Sequence, residues 1–193
     1  MNKELFVWTE AYGCGKILSK CLESFYKYHP NQKIHIFGTP ADFKLLPKSN
    51  NAEYYDLSSD PNIKELFKSG HAGTAYIFAK VIKEHSDNQN YLAHFDSDLI
   101  FRKESISTLQ NEIETCHIVG SYRCYKNNLN GRKDLDNLKD VVQTYFFAFD
   151  KTKISDYNFN ELTAMCLGHY NPLNHPILDF FDPVSFDIQK KVF

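Results

Sequence analysis

Apolar residues in this chain fall into short strand-like runs separated by stretches with helical spacing, which predicts alternating strands and helices. Residues 5–9 (LFVWT) are rich in β-formers, and Ala11-Tyr12-Gly13-Cys14-Gly15 closes them, so a buried strand and a glycine-punctuated turn are expected. Over residues 16–28, Ile17, Leu18, Cys21, Leu22 and Phe25 recur at helical spacing, and His29-Pro30-Asn31 supplies the stop. Residues 33–37 (KIHIF) and 52–57 (AEYYDL) read as the second and third strands. Gly70-His71-Ala72-Gly73-Thr74 then opens a helix with Ala75, Tyr76, Ala79 and Ile82 on one face. The run 91–95 (YLAHF) is apolar nearly throughout, which suits a parallel strand covered on both faces. A helix over 105–115 and strands over 117–125 and 141–149 follow. This order predicts an α/β fold with a mostly parallel, Rossmann-like sheet flanked by helices and right-handed crossovers.

Composition narrows the picture. At 193 residues, with 42% hydrophobic and 24% charged positions, the chain is expected to fold as one domain over 1–193 rather than remain disordered. Lys and Arg number 22 against 24 Asp and Glu, a formal charge of -2, which argues against nucleic acid or an anionic membrane as the main partner. No run approaches the roughly 20 apolar residues of a membrane span. Five cysteines at 14, 21, 116, 124 and 166 are odd in number and include no CxxC, so buried thiols in a reducing, cytoplasmic setting are expected. Residues 126–140 (KNNLNGRKDLDNLKD) carry only three leucines among polar residues and read as a mobile loop at an active site. The aromatic stretch 177–193 runs to the end of the chain, as expected of a truncated piece or a docked terminus.

The candidate chemistry centres on Asp96-Ser97-Asp98, directly after the apolar strand and before Leu99-Ile100-Phe101. If the backbone stays extended, Asp96 and Asp98 aim two carboxylates at one spot, outside the carboxyl end of a strand, where open α/β sheets bind ligands. Oxygen donors suit Mg²⁺ or Mn²⁺ shared with substrate phosphates, so a nucleotide diphosphate is the natural ligand. The competing readings are a plain strand-ending turn and the paired acids of an aspartyl phosphatase. The latter expects Thr or Val two residues after the second acid, where Ile100 stands. His71, at a helix start, is placed to contact a phosphate or to cap the helix. His94, inside the strand, reads as a satisfied core histidine.

The glycine turn after the first strand, HAGTAYIFAK, YLAHFDSDLIF and VVQTYFFAFDK together resemble a nucleotide-sugar-dependent glycosyltransferase of the GT-A fold. That resemblance covers nearly the whole chain and implies a UDP- or GDP-sugar donor, a glycan or polysaccharide-precursor acceptor, and Mn²⁺ or Mg²⁺. It assigns donor or metal contact to Asp96, metal coordination to Asp98, and donor-site positions to Ser97, Thr9, Ala11, Tyr12 and Asp56. Gln143, in the segment Gln143-Thr144-Tyr145-Phe146, falls on the sugar and acceptor side. A third metal ligand is expected from His169 or His175. An inverting enzyme needs a base, for which Asp182 and Asp150 are candidates. The rival readings are a sugar nucleotidyltransferase, which expects a Gly-rich Lys/Arg loop that residues 11–16 match poorly, and a nucleotide-sugar-binding module without turnover.

Overall fold

The first apolar run forms β1 (Phe6–Ala11), and the helix after the glycine turn is α1 (Gly15–Tyr28). Next come β2 (Ile34–Gly38), a single turn α2 (Pro40–Phe43) and β3 (Ala52–Asp56). Thr39 caps α2 with its hydroxyl, and Pro40 at the first helical position has no N–H to leave unpaired. The chain continues through α3 (Ile63–Leu66) and α4 (His71–Lys80), which ends in a π-turn at Val81–His85. Then follow β4 (Tyr91–Phe95), α5 (Ile106–Ile113), β5 (Ile118–Arg123), β6 (Val141–Asp150) and β7 (Gln189–Lys191). This computed structural model describes residues 4–67, 71–86, 88–116, 118–123, 141–153 and 189–191. The expected loop 126–140, Asp182, His169 and His175 lie outside those residues.

All seven strands join one sheet in the order β3-β2-β1-β4-β6-β5-β7. The half from β3 to β4 is parallel, whereas β6 runs antiparallel to both β4 and β5, and β7 pairs parallel with β5. The mostly parallel sheet expected from the sequence is therefore present, with one reversed strand inserted next to β4. β4 reads as apolar because both its faces are covered, not because both its neighbours are parallel. On one face, α1 and α5 cover Val7, Ile34, Ile36, Ala93 and Phe95 with Leu18, Leu22, Phe25 and Leu109. On the other, α4 covers Phe6, Trp8, Leu92, Phe147 and Phe149 with Ile77, Phe78 and Ile82. Ile17, at the margin of the apolar stripe of α1, is 55% exposed and belongs to neither layer.

The order of connections matters for function. From β1 the chain passes through α1 to β2 on one side, then β3, and returns through α4 to β4 on the other side of β1. The crossover direction thus reverses between β1 and β4, and their carboxyl ends open a crevice there. Gly38, at the end of β2, has no room for a side chain, since a Cβ would lie 2.5 Å from the Ala11 carbonyl oxygen. That close approach holds the ends of β1 and β2 level.

Two buried histidines tie the layers together. His29, after α1, lies 3.3 Å from the Ser105 hydroxyl through Nε2 and 3.3 Å from Glu104 through Nδ1. His35 stacks on Phe6 at 3.8 Å and meets the Tyr55 hydroxyl at 3.0 Å. Burial lowers the pKa of both, outweighing the acids Glu104 and Glu53, and takes His35 down to about 4. The unfolded chain accepts these protons near pH 6.5 while the fold resists them, so their contribution is complete above about pH 6.5 and is lost as pH falls toward 4. The melting temperature should therefore hold from pH 8 to 7 and decline below 6.5. In His35→Phe, which keeps a ring against Phe6, the decline should be shallower, and an unchanged slope would remove His35 as its source.

Candidate functional site

The turn Asp96-Ser97-Asp98 leaves β4 at the reversal between β1 and β4. Its backbone is not extended, because the Leu99 N–H reaches back to the Asp96 carbonyl at 3.4 Å and closes a turn. The two acids therefore do not share a strand face, and the pairing expected from extended geometry is corrected to a turn that presents them differently. The Asp96 side chain is 40% exposed and leans toward β1, while Asp98 is exposed at the rim.

Alternation along the two strands supplies what stands beneath Asp96. Trp8 and Glu10 of β1 share the α4 face with Leu92 and His94 of β4. His94 is fully buried and Glu10 is 7% exposed, and His94 Nε2 lies 2.8 Å from Glu10 Oε2 and 3.9 Å from Asp96 Oδ1. The Thr74 hydroxyl of α4 donates to the other Glu10 oxygen at 2.9 Å. Ligand atoms of Glu10, His94 and Asp96 all lie within 4.8 Å of one another. Burial pushes the Asp96 carboxyl up to about 6; His94 opposes this, while the charges of Glu10 and Asp98 add to it. His94 is the buried residue the sequence suggests, yet it belongs to this group. Glu10 was not singled out from the sequence; an acid inside an otherwise apolar strand was the available signal.

The other predicted positions disperse. Thr9 is buried and its hydroxyl donates to the Phe95 carbonyl at 2.7 Å, so it locks β1 to the end of β4. Ala11 is buried against Gly38. Tyr12 lies against Phe67 with ring centroids 4.3 Å apart, so that one ring face is covered. Asp56 is exposed at the end of β3 and accepts the Ser58 N–H at 2.8 Å, which lowers its pKa. His71 begins α4 and Gln143 lies in β6. Asp150 pairs in register with Tyr91, at the opposite end of β4 from Asp96. Five strand residues separate them, about 17 Å. As a base acting beside Asp96 it is corrected: it accepts the Thr152 N–H and hydroxyl at 2.9 and 2.6 Å and serves as a turn acid.

A cleft of about 620 Å³ adjoins the end of β3, lined by Tyr54, Tyr55, Asp56, Asp60, Tyr76 and Lys80 among others. Lys80 pairs with Asp60 at 3.4 Å and Glu84 at 3.0 Å, and the Tyr76 hydroxyl donates to Asp60 at 3.1 Å. Three strand spacings, about 14 Å, separate β3 from β4. By contrast, the amides at the start of α1 are already occupied. Asp42 of α2 accepts the Gly13 and Gly15 N–H groups at 3.0 Å each and the Thr39 hydroxyl at 2.7 Å.

No family model matches the chain and no curated protein matches it. Solved structures do. A galactosyltransferase, LgtC, in complex with donor and acceptor sugar analogues is 12% identical, with a TM-score of 0.64 over 92% of this chain and 70% of that one. Mouse xyloside xylosyltransferase 1 is 10% identical, with a TM-score of 0.62 over 98% of this chain and 84% of that one. The 4-diphosphocytidyl-2C-methyl-D-erythritol synthase of Anaerococcus prevotii is 15% identical, with a TM-score of 0.56 over 98% and 86%. These likenesses show the fold alone, which is of the GT-A type.

The occupied turn before α1 is directly testable. Asp42→Ala leaves two loop N–H groups without their acceptor and should destabilise the protein by about 2–3 kcal/mol in urea unfolding. Asp42→Asn, which keeps an acceptor oxygen, should cost less. An unaltered midpoint for Asp42→Ala would show that water replaces the carboxylate there.

Proposed function

We propose that this chain is a glycosyltransferase that takes a sugar from a nucleotide diphosphate sugar and passes it to a hydroxyl of a glycan or polysaccharide-precursor acceptor. The observation that carries this reading is the position of Asp96 and Asp98 on the turn that leaves β4 where the crossover direction reverses. Their oxygens fit Mn²⁺ or Mg²⁺; burial raises the pKa of Asp96, and the charges of Glu10 and Asp98 add to it. Such an ion, when bound, neutralises the charge that develops on the departing diphosphate.

The chain's own residues do the rest. Asp96 and Asp98 orient the diphosphate end, and the tyrosine-lined cleft beside Asp56 receives the nucleoside. The donor would span the ends of β1 and β2 between them. Asp150 faces the wrong end of the sheet, which leaves Asp182 as the candidate base for an inverting reaction. A further metal ligand comes from His169 or His175 in this proposal. Among the described residues, Cys14 and Cys21 stand outside any disulfide, which supports the reading of a cytoplasmic enzyme. No helix among the described residues is long and apolar enough to cross a membrane.

The second reading, a nucleotidyltransferase, is favoured by the likeness to the Anaerococcus prevotii synthase. Against it, Asp42 fills the amides that a phosphate-cradling loop would offer. Calorimetric titration of UDP and GDP with and without Mn²⁺ separates the cases. One of the two should bind only with metal, and Asp98→Ala should weaken that binding at least about tenfold. Failure of both nucleotides to bind in any condition would overturn the transferase reading, and pyrophosphate release from a nucleoside triphosphate would favour the second.

A further inference from the structure

We propose that Glu10, His94 and Asp96 together form a divalent-cation site with one nitrogen and two oxygen donors, selective for Mn²⁺, Co²⁺ or Zn²⁺ over Mg²⁺ and Ca²⁺. It deepens the proposed donor site and rests on that reading only through Asp96. The donor atoms come from two adjacent parallel strands whose register is set by Phe6↔Leu92, Val7↔Ala93 and Trp8↔His94. Their positions are therefore fixed by the sheet and not by a loop.

The donor separations lie close to those an ion requires. A first-row cation about 2.1 Å from each donor requires donor separations between about 3.0 Å at right angles and about 4.2 Å in opposition. The observed separations are 2.8 Å for His94 to Glu10 and 3.9 Å for His94 to Asp96, with the largest among the three at or below 4.8 Å. A slight opening of the hydrogen-bonded His94–Glu10 pair, together with movement of the half-exposed Asp96 carboxylate, brings the set within bonding range. Glu10 is oriented by the Thr74 hydroxyl on its other oxygen, the kind of outer contact that holds a ligating carboxylate.

Exposure gives the site its direction. His94 is fully buried and Glu10 nearly so, while Asp96 is 40% exposed, so three protein donors close one side and leave the side facing the crevice open. Three donors and an open position are the pattern of ions that take a further ligand. An imidazole nitrogen among the donors disfavours Mg²⁺ and Ca²⁺, which prefer oxygen throughout. Asp98, exposed at the rim, lies outside the three-donor group. The alternative is a buried acid–histidine contact that only stabilises the fold.

The test uses the full chain and the metal alone. Mn²⁺ and Co²⁺ are titrated into wild type, His94→Gln, Glu10→Gln and Asp98→Asn, with Mg²⁺ as comparison, and bound Mn²⁺ is examined by pulsed electron paramagnetic resonance for coupling to a directly bonded nitrogen. Wild type should bind one ion with nitrogen coupling and prefer Mn²⁺ and Co²⁺ to Mg²⁺. His94→Gln should abolish the coupling and weaken binding at least about tenfold, Glu10→Gln should weaken it comparably, and Asp98→Asn should matter less. Absence of nitrogen coupling in wild type would overturn the proposal, whether or not the variants fold. Unchanged affinity in folded His94→Gln would do the same. Metal-dependent nucleotide binding without nitrogen coupling would overturn this site and keep the donor reading; nitrogen coupling without nucleotide binding would keep the site and remove the donor reading.

Discussion

The parallel pairing of β1 with β4 is the constraint on which the rest depends. Both strands are covered on both faces, so nearly every position along them must be apolar or find a partner inside. Thr9, Glu10 and His94 meet that demand within the pair. The Thr9 hydroxyl binds the Phe95 carbonyl on the α1 face, and Glu10 meets His94 on the α4 face. Only where the strands end can charge reach water, and Asp96 stands there. The site is thus a boundary between a packed sheet and a crevice, and its depth is set by how far Glu10 and His94 extend the polar zone inward.

Two acids near the ends of β1 and β2 show how burial divides roles. Asp42 is buried and its oxygens accept the Gly13 and Gly15 N–H groups and the Thr39 hydroxyl, which satisfies it and closes the loop before α1 to other anions. Asp96 is half exposed beside two further acids and carries a raised pKa. The first is a structural acid satisfied by loop amides; the second stands beside acids whose charge a cation would relieve. An anionic ligand at this end of the sheet is then better held through a cation than through loop amides.

Much of this was legible in the chain before its structure. The apolar runs 5–9, 33–37 and 91–95 and the helical spacing over 16–28 correspond to β1, β2, β4 and α1. The Asp96-Ser97-Asp98 turn stands out because it follows the most continuously apolar strand. What local pattern does not carry is partnership across the sheet. β6 has the same aromatic character as a parallel strand but inserts antiparallel beside β4, which puts Asp150 at the wrong end. Glu10 and His94 are 84 residues apart, and only the pairing of β1 with β4 turns two isolated polar positions into a contact. The turn at Asp96 likewise depends on a backbone hydrogen bond that alternation does not reveal.

The central claim is that the crevice at the ends of β1 and β4 holds a cation and the diphosphate of a sugar donor. Anomalous diffraction at the manganese edge, from crystals grown with Mn²⁺ and UDP or GDP, tests it most directly. One strong peak is expected within about 2.5 Å of an Asp96 carboxylate oxygen, with the diphosphate against it and the nucleoside running toward the cleft beside Asp56. A nucleotide bound elsewhere, or a metal peak remote from Asp96, would contradict it.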